Sequence, residues 1–168
     1  MIGWLRRFSY TGVLAALTIV VLAGCEQATG GGYITSATGE GKATFAFNGK
    51  CTNTTLEDGS VAGVVKGQLQ YNDPAADVKF HAELGGTVAT GTATPCEDVD
   101  TNESADEFIG SYRVSGGPKE GEGVVILEVT DAGEPGINGD QVTIDPFTGP
   151  LAFYFNSGTV QGGNVQVH

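Results

Sequence analysis

The chain has 168 residues, of which 20 are acidic, eight basic and 27 glycine, giving a formal net charge of −12. That length allows one domain with a short appendage. So acidic a surface keeps a protein soluble and repels nucleic acid and anionic lipid headgroups, which excludes both as partners.

In chain order, the opening MIGWLRRFSYTGVLAALTIVVLAG places Arg6 and Arg7 ahead of an uncharged run from Phe8 to Gly24. Its most apolar part, Val13 to Leu22, is about ten residues, half of what a membrane-spanning helix needs. A basic start, a short apolar run and small residues before a break mark a helical secretory signal peptide. Leu22-Ala23-Gly24-Cys25 resembles the lipobox of bacterial lipoproteins. The resemblance implies that the Cys25 thiol receives a diacylglyceryl group, that the peptide before it is cut, and that the new amino terminus is acylated. Each buried methylene contributes about 0.8 kcal/mol, and two or more acyl chains hold a protein to a membrane where one binds only marginally. The competing reading, an uncleaved anchor helix with an incidental cysteine, suffers from the shortness of the apolar run.

On the lipobox reading, residues 1–24 are signal peptide and residues 25–32 a lipidated terminus with a Gly-rich tether. Residues 33–168 form one β domain, exported and held by lipid at the periplasmic face or the cell surface. Loss of Arg6 and Arg7 reduces the eight basic side chains to six against 20 acidic ones, a net charge of −14. With Cys25 lipidated, Cys51 and Cys96 remain, in a compartment where disulfides form. A bridge between them closes a loop long enough to contribute about 4 kcal/mol. Two thiols without neighbouring histidines are a poor zinc site.

From Tyr33 onward the chain reads as strands. KATFAFN turns Ala43, Phe45 and Phe47 to one face, and GQLQY does the same with Leu69 and Tyr71. VKFHAEL alternates throughout, with Val78, Phe80, Ala82 and Leu84 on one side and Lys79, His81 and Glu83 on the other, the period of a half-buried strand. EFIGSYRV sets Phe108, Tyr112 and Val114 around Gly110, and GVVILEVT faces Val125, Leu127 and Val129 inward. QVTI, LAFYF and GTVQGGNVQVH complete the set. In LAFYF, Phe153 and Phe155 share the inward face and Tyr154 points the other way. Turn signals separate these runs at residues 57–59, 72–74, 85–86 and 156–158. Glycines at 63, 67, 110, 162 and 163 suit bulges and bends. The expected fold is all-β, an antiparallel β-barrel or sandwich of about 8–10 short strands behind the signal peptide.

GGGYI, KATFAFN, GQLQYND, VKFHAEL, FIGSYRV, VTDAGEPGINGDQVTI and the closing GGNVQVH together resemble the post-COAP domain, a small Gly-rich β domain of bacterial exported proteins. The resemblance runs from about Gly30 to His168. That family often places the domain at the end of larger surface proteins, and it brings no established activity, so no catalytic residue is carried over. The acidic segment from Cys96 to Glu107 is longer than the family pattern.

Candidate chemistry is sparse. CEDVDTNESADEF sets Asp98, Asp100 and Asn102 at positions 1, 3 and 5 of an EF-hand-like loop, but position 6 is Glu103 and position 12 is Ile109, where Gly and Glu are required. In DAGEPGINGD, Asp131, Glu134 and Asp140 offer carboxylates to one ion, but the Gly- and Pro-rich segment between them reads more simply as a turn joining two strands. The only histidines are His81, on a polar strand face, and His168. Neither a G-x-S-x-G elbow nor an H-E-x-x-H pair occurs. The expectation is therefore a non-catalytic envelope lipoprotein without metal or cofactor. Its β domain binds or scaffolds a protein or carbohydrate partner, and the membrane is contacted through lipid. The alternatives are a barrel enclosing a small apolar molecule and a hydrolase using two carboxylates.

Overall fold

The computed structural model describes residues 27–55, 61–85, 105–133 and 139–167. The predicted signal peptide, Cys25, Cys96 and the 98–102 acidic loop lie outside them. Nine strands are present among the described residues: β1 (Gln27–Thr35), β2 (Lys42–Thr55), β3 (Val61–Asp73), β4 (Val78–Leu84), β5 (Ala105–Val114), β6 (Gly121–Thr130), β7 (Gln141–Pro146), β8 (Asn156–Thr159) and β9 (Gly162–Val167). They form one antiparallel sheet in the order β8-β7-β6-β5-β4-β3-β2-β1-β9, curled into a half-barrel. The all-β expectation therefore holds, and the architecture is a curled single sheet rather than a two-sheet sandwich.

Strand alternation builds the core directly. Phe45, Phe47, Leu69, Tyr71, Phe80, Leu84, Phe108, Tyr112, Leu127 and Ile144 all point to the concave face and join one buried apolar cluster. Phe80 sits between Tyr71 and Tyr112, with ring centroids 5.4 and 5.2 Å away, in the tilted geometry that aromatic pairs favour. β4 covers residues 78–84, and its burial alternates as its sequence does.

Three expectations need correction. Residues 27–32, read as part of a tether, belong to β1, an interior strand paired with both β2 and the edge strand β9. The glycines serve close approach there rather than flexibility. A Cβ on Gly32 would stand 2.0 Å from the Gly162 carbonyl oxygen, and one on Gly163 1.9 Å from that of Gly31. Gly163 also holds φ at +109°, a region that residues with a Cβ rarely enter. Gly32→Ala is expected to destabilise the fold by about 2–3 kcal/mol, because backbone and not a flexible side chain must yield. A lower urea midpoint at unchanged m-value will report it.

The second correction concerns LAFYF, which is not a strand. Gly149–Leu151 forms a 3-10 turn with Pro150 inside it, and residues 147–155 run as a strap over one end of the core. The Tyr112 hydroxyl donates to the Thr148 carbonyl at 2.7 Å and accepts the Leu151 N–H at 2.9 Å. Leu151 is buried, Tyr154 is half-buried, and Phe153 and Phe155 are exposed, the reverse of the inward and outward faces that strand alternation assigns. The third is Asn156-Ser157-Gly158, a turn signal that instead forms β8. Its small residues let the end of the meander approach β1: a Cβ on Gly158 would lie 3.5 Å from the Ile34 Cβ. The Asn156 side-chain amide donates to the Thr35 carbonyl at 3.1 Å.

Candidate functional site

The outer face of the sheet carries the side chains that alternation leaves outside. Register aligns them into rows that cross the strands. In the first row Ala46 on β2 stands beside Gln70 on β3, Gln70 beside His81 on β4, and His81 beside Arg113 on β5. In the second, Thr44 stands beside Asn72 and Asn72 beside Lys79. Same-face neighbours on adjacent strands are about 5 Å apart and successive rows about 7 Å.

A groove of about 710 Å³ runs over these rows. Its wall is the segment from Ser115 to Lys119 between β5 and β6, which the Lys119 ammonium ties down. That group donates to the carbonyls of Ala76 and Asp77 at 3.2 and 2.8 Å and lies 3.7 Å from the Asp77 carboxylate. Three of the six basic side chains beyond residue 25, Lys79, Arg113 and Lys119, line the groove together with His81, against one acid, Asp77. An acidic chain thus gathers positive charge in one place. Arg113 is held by Glu122, whose Oε1 accepts from Nε at 2.9 Å and also from Nη2. Lys79 and His81 make no hydrogen bond or ion pair among the described residues.

Directly behind the groove lies a buried polar chain. Asp73, fully buried at the end of β3, accepts hydrogen bonds at Oδ2 from the Ser36 hydroxyl (2.9 Å), the Ala37 N–H (3.1 Å) and the Tyr154 hydroxyl (2.8 Å). Its Oδ1 accepts from the Ala76 N–H at 3.2 Å, which fixes the turn that in turn holds Lys119. An ionised carboxylate only accepts, so the direction of the whole chain follows. Asn156 Nδ2 donates to Tyr71 (2.7 Å), Tyr71 to Tyr154 (2.5 Å), and Tyr154 to Asp73. Burial raises the Asp73 carboxyl, yet the hydrogen bonds from Ser36, Tyr154, Ala37 and Ala76 outweigh it and leave the group below its ordinary value. Tyr154 moves far the other way, first through burial and then through its bonds to Tyr71 and Asp73, so its phenol stays protonated and keeps donating. Burial likewise raises Tyr71 and Tyr112.

The residues singled out from sequence scatter over the fold. Cys51 is half-buried on β2 and packs against the core, while its expected partner Cys96 and the lipobox Cys25 lie outside the described residues, as do Glu134 and His168. Ile109, position 12 of the EF-hand-like pattern, is a strand residue of β5. Asp131 and Asp140 are brought together, but to clamp backbone. Asp140, fully buried, accepts the N–H of Ala132 and of Val165, each at 3.0 Å. Asp131 accepts those of Gly133 at 2.8 Å and Val167 at 3.2 Å. Two carboxylates from the β6–β7 connection thereby satisfy donors along the edge of β9. Among the described residues singled out for candidate chemistry, His81 alone lines the groove. Gln70, Lys79 and Arg113 were legible only as polar strand positions and Asn72 only as part of a turn signal, while Lys119 carried no local signal, since nothing in the local sequence shows that they align.

Comparison of the chain with family models, with curated proteins and with solved structures gives no match.

Proposed function

We propose that this protein is an envelope lipoprotein held through lipid on Cys25, and that its β domain is a non-catalytic binding module that uses the outer groove. The observation that carries the binding reading is the division between the two faces of the sheet. Phe45, Phe47, Phe80 and Leu127 fill the concave face that a barrel for a small apolar molecule would leave open. The outer face instead presents convergent polar and cationic side chains beside a wall. Carboxylate catalysis finds no support in the two buried acids. Asp73 is held below its ordinary value, the opposite of a general acid, and both carboxylates of Asp140 and Asp73 are occupied by donors.

The anchor reading gains a geometric consequence from β1. The strand starts at Gln27, two residues past Cys25, so lipid on Cys25 holds the domain close to the bilayer. Gln27 pairs with Lys50, and Tyr33 with Thr44. The groove row at Thr44 therefore lies about 20 Å along the strand from the anchored end. The resemblance to the post-COAP domain belongs to the same proposal and contributes no activity to it. The pairing of Cys51 with Cys96 is likewise proposed; it is supported by the commitment of Cys25 to lipid and by export to a compartment where disulfides form.

Intact mass spectrometry of the protein purified from membranes tests the anchor and the bridge together. The expected species begins at Cys25, carries acyl chains, and shows no alkylation at Cys51 or Cys96 after denaturation without reductant. Cys25→Ala is expected to shift the protein out of the membrane fraction. An unprocessed chain with a free Cys25 thiol overturns the anchor, and two alkylated thiols overturn the bridge. For the binding module, a screen of neutral and charged saccharides and peptides should perturb the backbone resonances of Gln70, His81 and Arg113. A screen in which every ligand leaves them unmoved overturns it.

A further inference from the structure

We infer that the groove recognises a carboxylate-bearing oligosaccharide, with Lys79 and Arg113 taking the carboxylates and Gln70, Asn72, His81 and Thr44 the hydroxyls. This rests on the outer groove being the binding surface and adds the class of ligand. Four observations point to it. The first is charge: the lining holds Lys79, Arg113 and Lys119 against Asp77, and with Glu122 paired to Arg113 and Asp77 to Lys119 the ammonium of Lys79 remains as surplus positive charge, on a chain with 20 acidic residues. An anionic ligand is drawn to this place and repelled elsewhere.

The second is donor availability. Lys119 is committed to the carbonyls of Ala76 and Asp77 and works as a wall. Lys79 and His81 engage no described residue, and Glu122 occupies only the Nε and Nη2 positions of Arg113. Glu122 orients the guanidinium, while Nη1 keeps its donors for a ligand. A planar guanidinium held in place matches a carboxylate better than a mobile one.

The third is the row arrangement. Gln70, His81 and Arg113 cross three adjacent strands, with Asn72 and Lys79 in the row beside them. Amides and imidazole both donate and accept, as a run of sugar hydroxyls requires, and the rows extend far enough to follow a chain rather than a single small ion.

The fourth is the lack of an aromatic platform in the described floor. Phe45, Tyr71 and Phe80 contribute to the lining, but these residues are buried on the concave side. Tyr33, which pairs with Thr44 at the end of the second row, is already covered by the Lys42 ammonium, 3.9 Å from its ring centroid. A neutral sugar, which depends on stacking, finds little here, and an acidic peptide finds no apolar pocket for a side-chain anchor. Selection falls to charge and hydrogen bonds.

The test uses the full-length protein in detergent and a galacturonate oligomer as probe, followed by resonance shifts and calorimetry at low and at physiological salt. Binding is expected at low salt and is weakened by added salt, as exposed charge pairs are. Lys79→Ala and Arg113→Ala are each expected to weaken it about fivefold. Lys66→Ala, which removes the same charge from the outer face outside the groove, is expected to leave it unchanged, and thermal melting checks that all variants fold. Comparison arms carry a neutral glucose oligomer and a poly-glutamate peptide, both expected to bind at least tenfold more weakly. Equal weakening by Lys66→Ala overturns the inference, showing attraction to charge without a site. A neutral oligomer or the peptide binding as well as the uronate overturns the ligand class while leaving the groove as a binding surface. If no probe moves the groove resonances, the inference and the binding reading fall together.

Discussion

Asparagine in place of Asp73 is expected to lower the free energy of unfolding by about 3 kcal/mol and to remove much of the protein's loss of stability in acid. The magnitude follows from what converges on the carboxylate: two hydroxyls and two backbone N–H groups, around a fully buried side chain. An amide has one acceptor oxygen: left where Ser36, Ala37 and Tyr154 donate, it turns its NH2 against the Ala76 N–H, and turned round it opposes the other three donors. Either way donor meets donor at one end, and a neutral oxygen holds the Tyr154 hydroxyl less firmly than the carboxylate does. The sign of the pH effect follows from the depressed value of Asp73. Its contribution is complete above the unfolded-state value near 3.8 and disappears as pH falls through the lower folded-state value. Thermal melting of both proteins from pH 6 to about pH 2 should therefore give curves that differ most at the upper end and converge in acid. Parallel curves would show that folding does not lower the Asp73 carboxyl. Hydrogen exchange should also quicken at the N–H groups of Leu151 and Tyr154, which bond to Tyr112 and to the Leu151 carbonyl, because the strap is held less firmly to β3.

Asp140→Ala is the second large effect, expected at about 3 kcal/mol. It strands the N–H groups of Val165 and Ala132, and an unpaired buried donor costs about 1–3 kcal/mol. The damage should be local. β9 is held on one side by pairing with β1 and on the other by the carboxylates of Asp140 and Asp131, so exchange should accelerate at Val165 and Val167 before the rest of the sheet. Asp140→Asn keeps one acceptor oxygen and should cost about half as much. If Asp140→Ala is no more damaging than Asp140→Asn, the clamp is not what holds the edge.

These two aspartates show why the strands were legible in sequence and the polar framework was not. Val78 to Leu84 alternates without interruption, and so does its burial; the same local rule placed Phe45, Phe47, Tyr112 and Leu127 inside. Asp73 read as part of a turn signal, and Asp131 and Asp140 as an acidic turn with potential ion ligands. Each carboxylate also finds partners more than 20 residues away, at Ser36 and Tyr154 for Asp73, Val165 for Asp140 and Val167 for Asp131. LAFYF failed for a related reason. Its alternation matches a strand, but Gly149 with φ of +76° and Pro150 turn the chain before it, and the hydroxyls of Tyr71 and Tyr112 decide which side chains face in.

The sequence by itself determined that the protein is built from strands, which side chains each strand buries, and that its surface is acidic. Those properties follow from the two-residue repeat of an extended chain and from composition, and neither depends on which strands become neighbours. Only the tertiary structure decided that GGG belongs to an interior strand, that Tyr154 turns inward while Phe153 and Phe155 turn out, and that Gln70, His81 and Arg113 stand in one row. Those outcomes depend on register. Register is a long-range property, set by turns, by backbone approach at Gly32 and Gly163, and by carboxylates whose donors come from distant strands.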